Sequence, residues 1–291
     1  MSVRNQLTAA AGISVVLVLA GVTGCSAQQA KDTATSAADA AAQANKAVMA
    51  AFARTSDKAQ GFTSAEVTMT VSGKDQTKPL TMTGTYTWGR EHSYDALVNT
   101  DSMGMGKLTS RKTMRMLNTH GAYFYQIDPQ PTGPFKDKHW MKVDASAILG
   151  DKGAAGLRSA DADPTAGLKS LKYASDATDL GTETVQGKQA RHYRAVIEAD
   201  RLGAAGNALT GKDGAPSALN DFTGTVHEVT LGVWVDPRTD LPVRWEQTMG
   251  AAKVTMEFGA FGHTTTVTVP SASDTADITQ AVKDEQAKRT G

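Results

Sequence analysis

The sequence predicts a mainly β protein of the α+β class, with an antiparallel sheet that must curl or split in two and a few helices against its concave face. Apolar and hydroxyl residues alternate strictly through segments such as Val67–Val71, the pattern of a strand with one buried face and one face in water. About ten or eleven segments of this kind occur, which is more than a flat sheet accommodates. Two short segments have the apolar spacing of helices, and these helices are available to fill the concave face of the sheet.

The first residues have the pattern of an export signal. An apolar run from Ala9 to Ala20 follows Arg4 and ends at Val22–Cys25. The run is shorter than the roughly 20 residues that span a bilayer, and its length is typical of a signal-peptide core. Cys25 is the only cysteine, so no internal disulfide can form. An inert cysteine in an uncleaved signal anchor and a buried cytosolic thiol are the alternatives.

The residues Val22–Cys25 resemble the bacterial lipobox, in which small residues precede a cysteine. The resemblance implies transfer of a diacylglyceryl group to the sulfur of Cys25 and cleavage of the Gly24–Cys25 bond. We therefore predict a signal peptide over residues 1–24 and a lipidated tether over residues 25–42. The protein would then be anchored on the extracytoplasmic face of the cell membrane.

A folded domain is predicted over residues 43–270, beginning with a helix from about Ala41. Ala44, Val48 and Phe52 recur at four-residue spacing with Met49 beside them, which forms one apolar stripe. A second helix is predicted over Asp163–Tyr173. Residues 202–222 are predicted to be a long Ala- and Gly-rich connection that contains one or two short helices.

The strands are predicted from period-two alternation, and all pairs are expected to be antiparallel. A hairpin turn is predicted at Thr119–Gly121. After Pro270 the chain is polar, and a short helix or frayed tail is predicted over residues 271–291. The strand segments are Val67–Val71, Leu80–Trp88, Ser93–Val98, Lys107–Leu117, Ala122–Ile127, Trp140–Val143, Tyr193–Ile197, Val229–Val235, Leu241–Trp245 and Val254–Phe258.

Composition argues against several classes of function. The chain has 30 basic and 30 acidic residues, without the basic face of a nucleic-acid-binding protein. Its six histidines are scattered, without the spacing of a metal site, and no Gly-x-Ser-x-Gly nucleophile elbow occurs. We therefore expect no enzyme activity, no cofactor and no metal.

Two hairpins resemble those of the LppX/LprG-type lipoproteins of actinobacteria, within the superfamily of the LolA and LolB carriers. One is Val185–Lys188 followed by His192–Ile197, and the other is Gly232–Asp236 followed by Leu241–Arg244. The resemblance implies a LolA-like half-barrel whose apolar cavity binds the acyl chains of a lipid or lipoglycan for transport in the envelope. It implies no catalytic residues. The Ala- and Gly-rich insert near Leu202–Leu219 departs from the family pattern.

The candidate ligand-binding residues are apolar side chains on the strands. Several are methionines, whose flexible side chains adapt to variable apolar shapes. Ordinary core packing is the competing interpretation of the same pattern. The chain is accordingly either a lipid carrier with an open cavity or an envelope sensor or protein-interaction lipoprotein with a closed core. The predicted cavity-lining residues are Met69, Met82, Ile197, Val229, Leu231, Val233, Val243, Val254 and Met256.

Overall fold

The computed structural model describes residues 27–74, 76, 78–88, 92–148, 174, 176–202, 223–262 and 267–290. The predictions for Cys25, for the signal peptide, for the helix at 163–173 and for residues 203–222 lie outside the described residues. The chain divides after Ala42 into two units, and the second unit contains the sheet.

The described structure includes twelve strands, two α-helices with defined bounds, a helical turn at 145–148, and short 3-10 helices at Ala199–Leu202 and Ala272–Asp274. The helices are α1 (Ala27–Gln60) and α2 (Thr279–Thr290). The strands are β1 (Ser64–Ser72), β2 (Leu80–Thr87), β3 (Ser93–Asn99), β4 (Thr113–Thr119), β5 (Ala122–Gln126), β6 (Trp140–Asp144), β7 (Asp176–Val185), β8 (Lys188–Glu198), β9 (Glu228–Val235), β10 (Pro242–Met249), β11 (Ala252–Phe261) and β12 (Thr275–Asp277).

All twelve strands belong to one open, curled sheet in the order β12-β6-β5-β4-β3-β2-β1-β11-β10-β9-β8-β7. Strands β1 to β6 form one antiparallel meander and β7 to β11 form a second. The two meanders are joined where β1 pairs with β11, with Met69 opposite Met256. The predicted mainly β, curled antiparallel architecture is confirmed.

One strand pair corrects the expectation that all pairs are antiparallel. Strand β12 pairs with β6 in parallel, with Ala276 opposite Met141. The pair is fixed by side chains as well as by the backbone, because Lys142 Nζ donates a hydrogen bond to Asp277 Oδ2 over 2.8 Å. Residues after Pro270 therefore add an edge strand and helix α2 to the sheet.

Three other elements differ from the sequence-based expectation. Helix α1 begins at Ala27 instead of near Ala41, because a segment rich in Ala and Gln favours helix even without an apolar stripe. Ala44 is exposed, whereas Val48 and Phe52 are buried. Strand β4 begins at Thr113, since the residues before it form turns. Strand β7 was not predicted.

The predicted hairpin turn between β4 and β5 is present. His120 and Gly121 both have positive φ, at 54° and 73°. Two such residues in succession match the right-handed twist of the flanking strands.

The inner face of the sheet is the face that α1 covers, and it carries two apolar clusters. The helix-covered cluster packs Val48 and Phe52 of α1 against β1 and β8–β11. The loop-covered cluster lies on β3–β6 and is covered by residues such as Met105, Phe135 and Ile278. The region between the two clusters is less completely filled.

Candidate functional site

An apolar groove lies on the inner face between the two clusters, and we name it the Gly84 groove. It has an empty volume of about 300 Å³, part of which is open to solvent, and its walls are almost entirely apolar. Its lining residues are Val67, Met69, Met82, Gly84, Thr85, Tyr86, Tyr94 and Ala96.

The groove exists because β2 lacks a side chain at its centre. Gly84 pairs with Val67 of β1 and with Ala96 of β3, so the three positions share one face. A Cβ atom on Gly84 would overlap the carbonyl oxygen of Asp95 and would lie 2.6 Å from the Cα of Ala96. The close approach of β2 to β3 thus requires glycine. The missing side chain leaves a gap between Met82 and Tyr86.

The two ends of the groove differ in chemistry. At one end Met69 and Met82 are direct partners across β1 and β2. At the other end the rings of Tyr86 and Tyr94 stack with their centroids 6.0 Å apart and an interplanar angle of 23°. One end therefore presents flexible thioether side chains, and the other presents rigid aromatic rings.

The tyrosine end belongs to a larger group, because Tyr123 and Tyr125 stack at 6.3 Å on neighbouring β5. Burial raises the pKa of Tyr94 well above its ordinary value, and the neighbouring Tyr123, Tyr125 and Tyr86 raise it further. Burial likewise raises the pKa of Tyr125 to about 12. These phenols therefore stay neutral throughout the physiological pH range.

Besides the hydroxyls of Thr55, Ser64 and Thr100, three buried indole or amide N–H donors find no hydrogen-bond partner among the described residues, and these three lie on the inner face. They are Nε1 of Trp88, Nδ2 of Asn118 and Nε1 of Trp245. Asn118 pairs with Tyr94 across β3 and β4, and the Trp88 ring lies 6.4 Å from that of Tyr86. Two of the three donors thus adjoin the tyrosine end of the groove.

The structure separates the predicted cavity-lining residues into three groups. Met69 and Met82 line the Gly84 groove. A second set lies in or against the helix-covered cluster, beneath Val48 and Phe52. This set comprises Ile197, Val229, Leu231, Val233, Val254 and Met256.

Val243 alone lies on the other side of the sheet. It packs with Val185, Ala190 and Trp234 in a separate cluster. The strand register shifts between Pro242 and Arg244, and this bulge changes the face to which Val243 belongs.

Sequence reasoning missed most of the groove: Gly84, Tyr86, Tyr94, Val67 and Ala96 were not among the candidates. The available signal was Gly84 itself, which interrupts an otherwise regular alternation of large apolar residues from Leu80 to Trp88. A glycine inside a strand pattern indicates a bulge or a close backbone approach.

The titratable groups do not form a metal centre in the described part of the chain. No group of three or more His, Cys, Asp or Glu residues there is close enough to hold a metal ion. Among the described helices, none has the length and apolar character needed to cross a membrane.

Comparisons with known proteins bear on the fold. No family model matches the chain. A stretch of 154 residues is 28% identical to an uncharacterised 31.2 kDa protein of Streptomyces griseus from the rplA-rplJ intergenic region. The match covers 50% of this chain and 50% of that relative, so the matched stretch spans about half the length of each protein.

Solved structures show a likeness over more of the chain. The lipoprotein LppX of Mycobacterium tuberculosis superposes with a TM-score of 0.51 and 12% identity, covering 77% of this chain and 99% of LppX. LprF of Mycobacterium bovis has a TM-score of 0.49 and 14% identity, covering 78% and 98%. The superposition on LppX confirms the predicted resemblance to LppX-type lipoproteins for the fold.

Proposed function

We propose that this protein is a lipid-anchored extracytoplasmic lipoprotein that binds an acyl chain of a lipid or lipoglycan in the Gly84 groove. It carries or presents that lipid in the cell envelope. The observation that supports the proposal is the half-open apolar groove between two packed clusters of the inner face. The fold shared with LppX is consistent with it.

An acyl chain suits this groove physically. Each methylene removed from water contributes about 0.8 kcal/mol, so an apolar groove favours hydrocarbon over water. The groove has an apolar lining and one side open to solvent, so it would receive one segment of a long chain while the rest lies outside it. The side chains of Met69 and Met82 are unbranched and flexible, and their movement would lengthen the groove.

The anchor in this proposal is Cys25. Its position after a short apolar run and three small residues is the basis for lipidation. Two or three acyl chains on one cysteine give stable membrane attachment, whereas a single chain binds only marginally. The ligand-binding sheet would then stay close to the membrane that supplies its lipid.

A sensor or protein-interaction lipoprotein with a closed core is the second candidate, and the helix-covered cluster favours it. Ile197 and Val233 are 0% exposed beneath α1. Where α1 covers the inner face of the sheet in this way, the apolar side chains are already buried without a ligand. The two candidates therefore differ in whether the Gly84 groove is occupied.

The test compares two adjacent positions on opposite faces of β3. Ala96→Phe fills the groove, whereas Leu97→Phe adds a ring at a position that is 54% exposed on the outer face. Each full-length protein is purified from an actinobacterial host, and copurifying lipids are identified by mass spectrometry beside thermal melting.

If the protein is a carrier, lipid copurifies with the wild type and with Leu97→Phe but not with Ala96→Phe, and Ala96→Phe melts at the same temperature as the wild type. If the core is closed instead, no lipid copurifies with any of the three proteins. Ala96→Phe is then destabilised by about 1–3 kcal/mol, the usual cost of overpacking.

A further inference from the structure

We propose that the bound lipid carries a neutral carbonyl acceptor, such as an ester, and that Trp88 and Asn118 donate hydrogen bonds to it at the tyrosine end of the groove. This inference rests on the proposed function, since it specifies the ligand of the same groove. It assigns the ligand an orientation, with its hydrocarbon toward Met69 and Met82 and its acceptor toward the tyrosines.

The inference starts from two buried donors without partners. Trp88 is 6% exposed and Asn118 is 8% exposed, and neither side-chain N–H finds an acceptor among the described residues. A buried donor that is left unpaired has lost its hydrogen bonds to water without replacement, and folded proteins pair the great majority of such donors. An acceptor oxygen of the ligand would replace the lost hydrogen bond of each donor that it reaches.

The two donors adjoin the same end of the groove, although they come from different strands. Asn118 of β4 is the direct partner of Tyr94, which lines the groove. Trp88 follows the last residue of β2, and its ring lies 6.4 Å from that of Tyr86, another lining residue. The opposite end is formed by the thioethers of Met69 and Met82, which donate no hydrogen bonds.

The surroundings favour a neutral acceptor over a carboxylate. None of the residues that line the groove is cationic. Burial keeps the neighbouring phenols neutral by raising the pKa of Tyr94 and Tyr125. An ionised carboxylate would lie buried without a countercharge, which is far more costly than burying a neutral ester.

The third unpaired donor provides an internal control. Trp245 Nε1 is also buried without an acceptor among the described residues, but Trp245 lies on β10, beyond Met256 in the register. Its register partners, Met256 and Val233, do not line the groove, whereas Tyr94, the register partner of Asn118, does. Trp245→Phe therefore removes an unsatisfied indole N–H without changing the proposed acceptor site.

The experiment uses full-length protein, stripped of copurified lipid, and three probes: methyl palmitate, palmitate and octadecane. Occupancy is measured by native mass spectrometry. We expect methyl palmitate to bind the wild type roughly 3- to 10-fold more tightly than octadecane, which corresponds to one or two net hydrogen bonds. Palmitate should bind less tightly than its methyl ester. Trp88→Phe and Asn118→Leu should each reduce the preference for the ester, and Trp245→Phe should leave it unchanged.

A spectroscopic readout makes the contact directly visible. With an isotope-labelled carbonyl, the ester stretch of bound methyl palmitate should lie at lower frequency than in hexane, and Trp88→Phe should move it back. If none of the probes binds, the proposed function fails. If octadecane and the ester bind equally, or palmitate binds best, the groove still takes acyl chains but the neutral-acceptor inference is wrong.

Discussion

Nε1 of Trp234 donates a hydrogen bond to Oε2 of Glu183 over 2.9 Å. Glu183 lies on edge strand β7 and Trp234 on β9, so the contact crosses the intervening strand β8. His192 of β8 fills the space between them. Its ring stacks on the indole with centroids 3.9 Å apart, and its Nδ1 lies 2.7 Å from Oε1 of Glu183. An edge strand with little buried apolar surface is thereby fixed to the sheet.

This contact predicts a pH-dependent stability. Hydrogen bonds from Trp234 and His192 lower the pKa of Glu183 below its ordinary value. The stabilisation that the Glu183 carboxylate contributes is therefore fully present above the pKa that Glu183 has in the unfolded chain. It is lost as the pH falls through the pKa that Glu183 has in the folded protein. Because the Glu183 side chain is 48% exposed, Glu183→Gln should lower the free energy of unfolding by less than about 1 kcal/mol at neutral pH.

Urea unfolding monitored by tryptophan fluorescence measures the effect. The difference between wild type and Glu183→Gln should shrink as the pH is lowered below about 4, the ordinary range of the carboxyl. A difference that stays constant from neutral to acid pH would contradict the role of the ionised carboxylate.

The centre of β2 predicts a severe effect of the smallest possible substitution. Gly84→Ala places a methyl group against the backbone of Asp95 and Ala96, where no flexible side chain can yield. We expect a loss of stability of about 1–3 kcal/mol or more, together with altered groove geometry. Gly106→Ala is the matched control, since a Cβ there would meet only Asp101 Oδ1 at 3.8 Å. If Gly84→Ala and Gly106→Ala lowered the melting temperature by the same amount, the close approach of β2 and β3 would be disproved.

The carboxyl-terminal segment is predicted to be part of the folded sheet. Ile278 and Val282 pack against the loop-covered cluster, whereas Lys283, Asp284 and Lys288 of α2 are exposed. Truncation after Pro270 should lower the free energy of unfolding by about 1–3 kcal/mol, because Ile278 and Val282 are partly buried and each contributes less than the roughly 1.5–3 kcal/mol of full burial. Truncation after Lys283 should have little effect on a denaturant melt. Equal stability of both truncations would show that the segment is a dispensable tail.

The same segment predicts a second acid transition. Burial raises the pKa of Asp277, but hydrogen bonds from Lys142 and Thr279 outweigh this effect and lower it to about 2. The stabilisation is present above the ordinary pKa of 3.8 and is lost as pH falls toward 2. We expect Asp277→Asn to increase proteolysis of α2 at neutral pH and to have no further effect near pH 2. The wild type should become equally susceptible in acid, measured with an acid-active protease.

The proposed anchor predicts the behaviour of one substitution. Cys25→Ala removes the only thiol of the chain and with it the site of diacylglyceryl transfer. Metabolic labelling with palmitate should be abolished, and the precursor should remain uncleaved. Normal labelling and processing of the variant would exclude the lipoprotein assignment while leaving the groove unaffected.

The elements that the sequence predicted well are half-buried strands. In β11, for example, Ala252, Met256 and Phe258 are buried whereas Lys253 and Gly259 are exposed, and the period-two pattern of the sequence follows from this burial. Strand β7 gives no such pattern, because only Ala177 and Val185 along it are buried. Such a polar edge strand is determined by its backbone pairing with β8, which leaves little trace in residue type.

The site was less predictable than the fold. Period-two reasoning assigned Val243 to the inner face, and a single shift of register moved it to the other side of the sheet. It also could not distinguish strand residues that α1 covers, such as Ile197, from those that it leaves uncovered, such as Met69. That distinction depends on where the helix lies across the sheet, and residue alternation contains no information about it.

The join between β1 and β11 has a consequence for how the chain reaches its folded state. A chain that crosses a membrane from its amino terminus can assemble the first meander while the second is still being translocated. Strand β1 then presents an unpaired edge until β11 arrives, and open strand edges invite aggregation and proteolysis. Long-range strand pairing of this kind is also slow, since a long loop must close before any contact is gained. If the chain is exported as proposed, chaperones and proteases outside the membrane would encounter a half-finished sheet with two open edges, β1 until β11 arrives and β6 until β12 arrives.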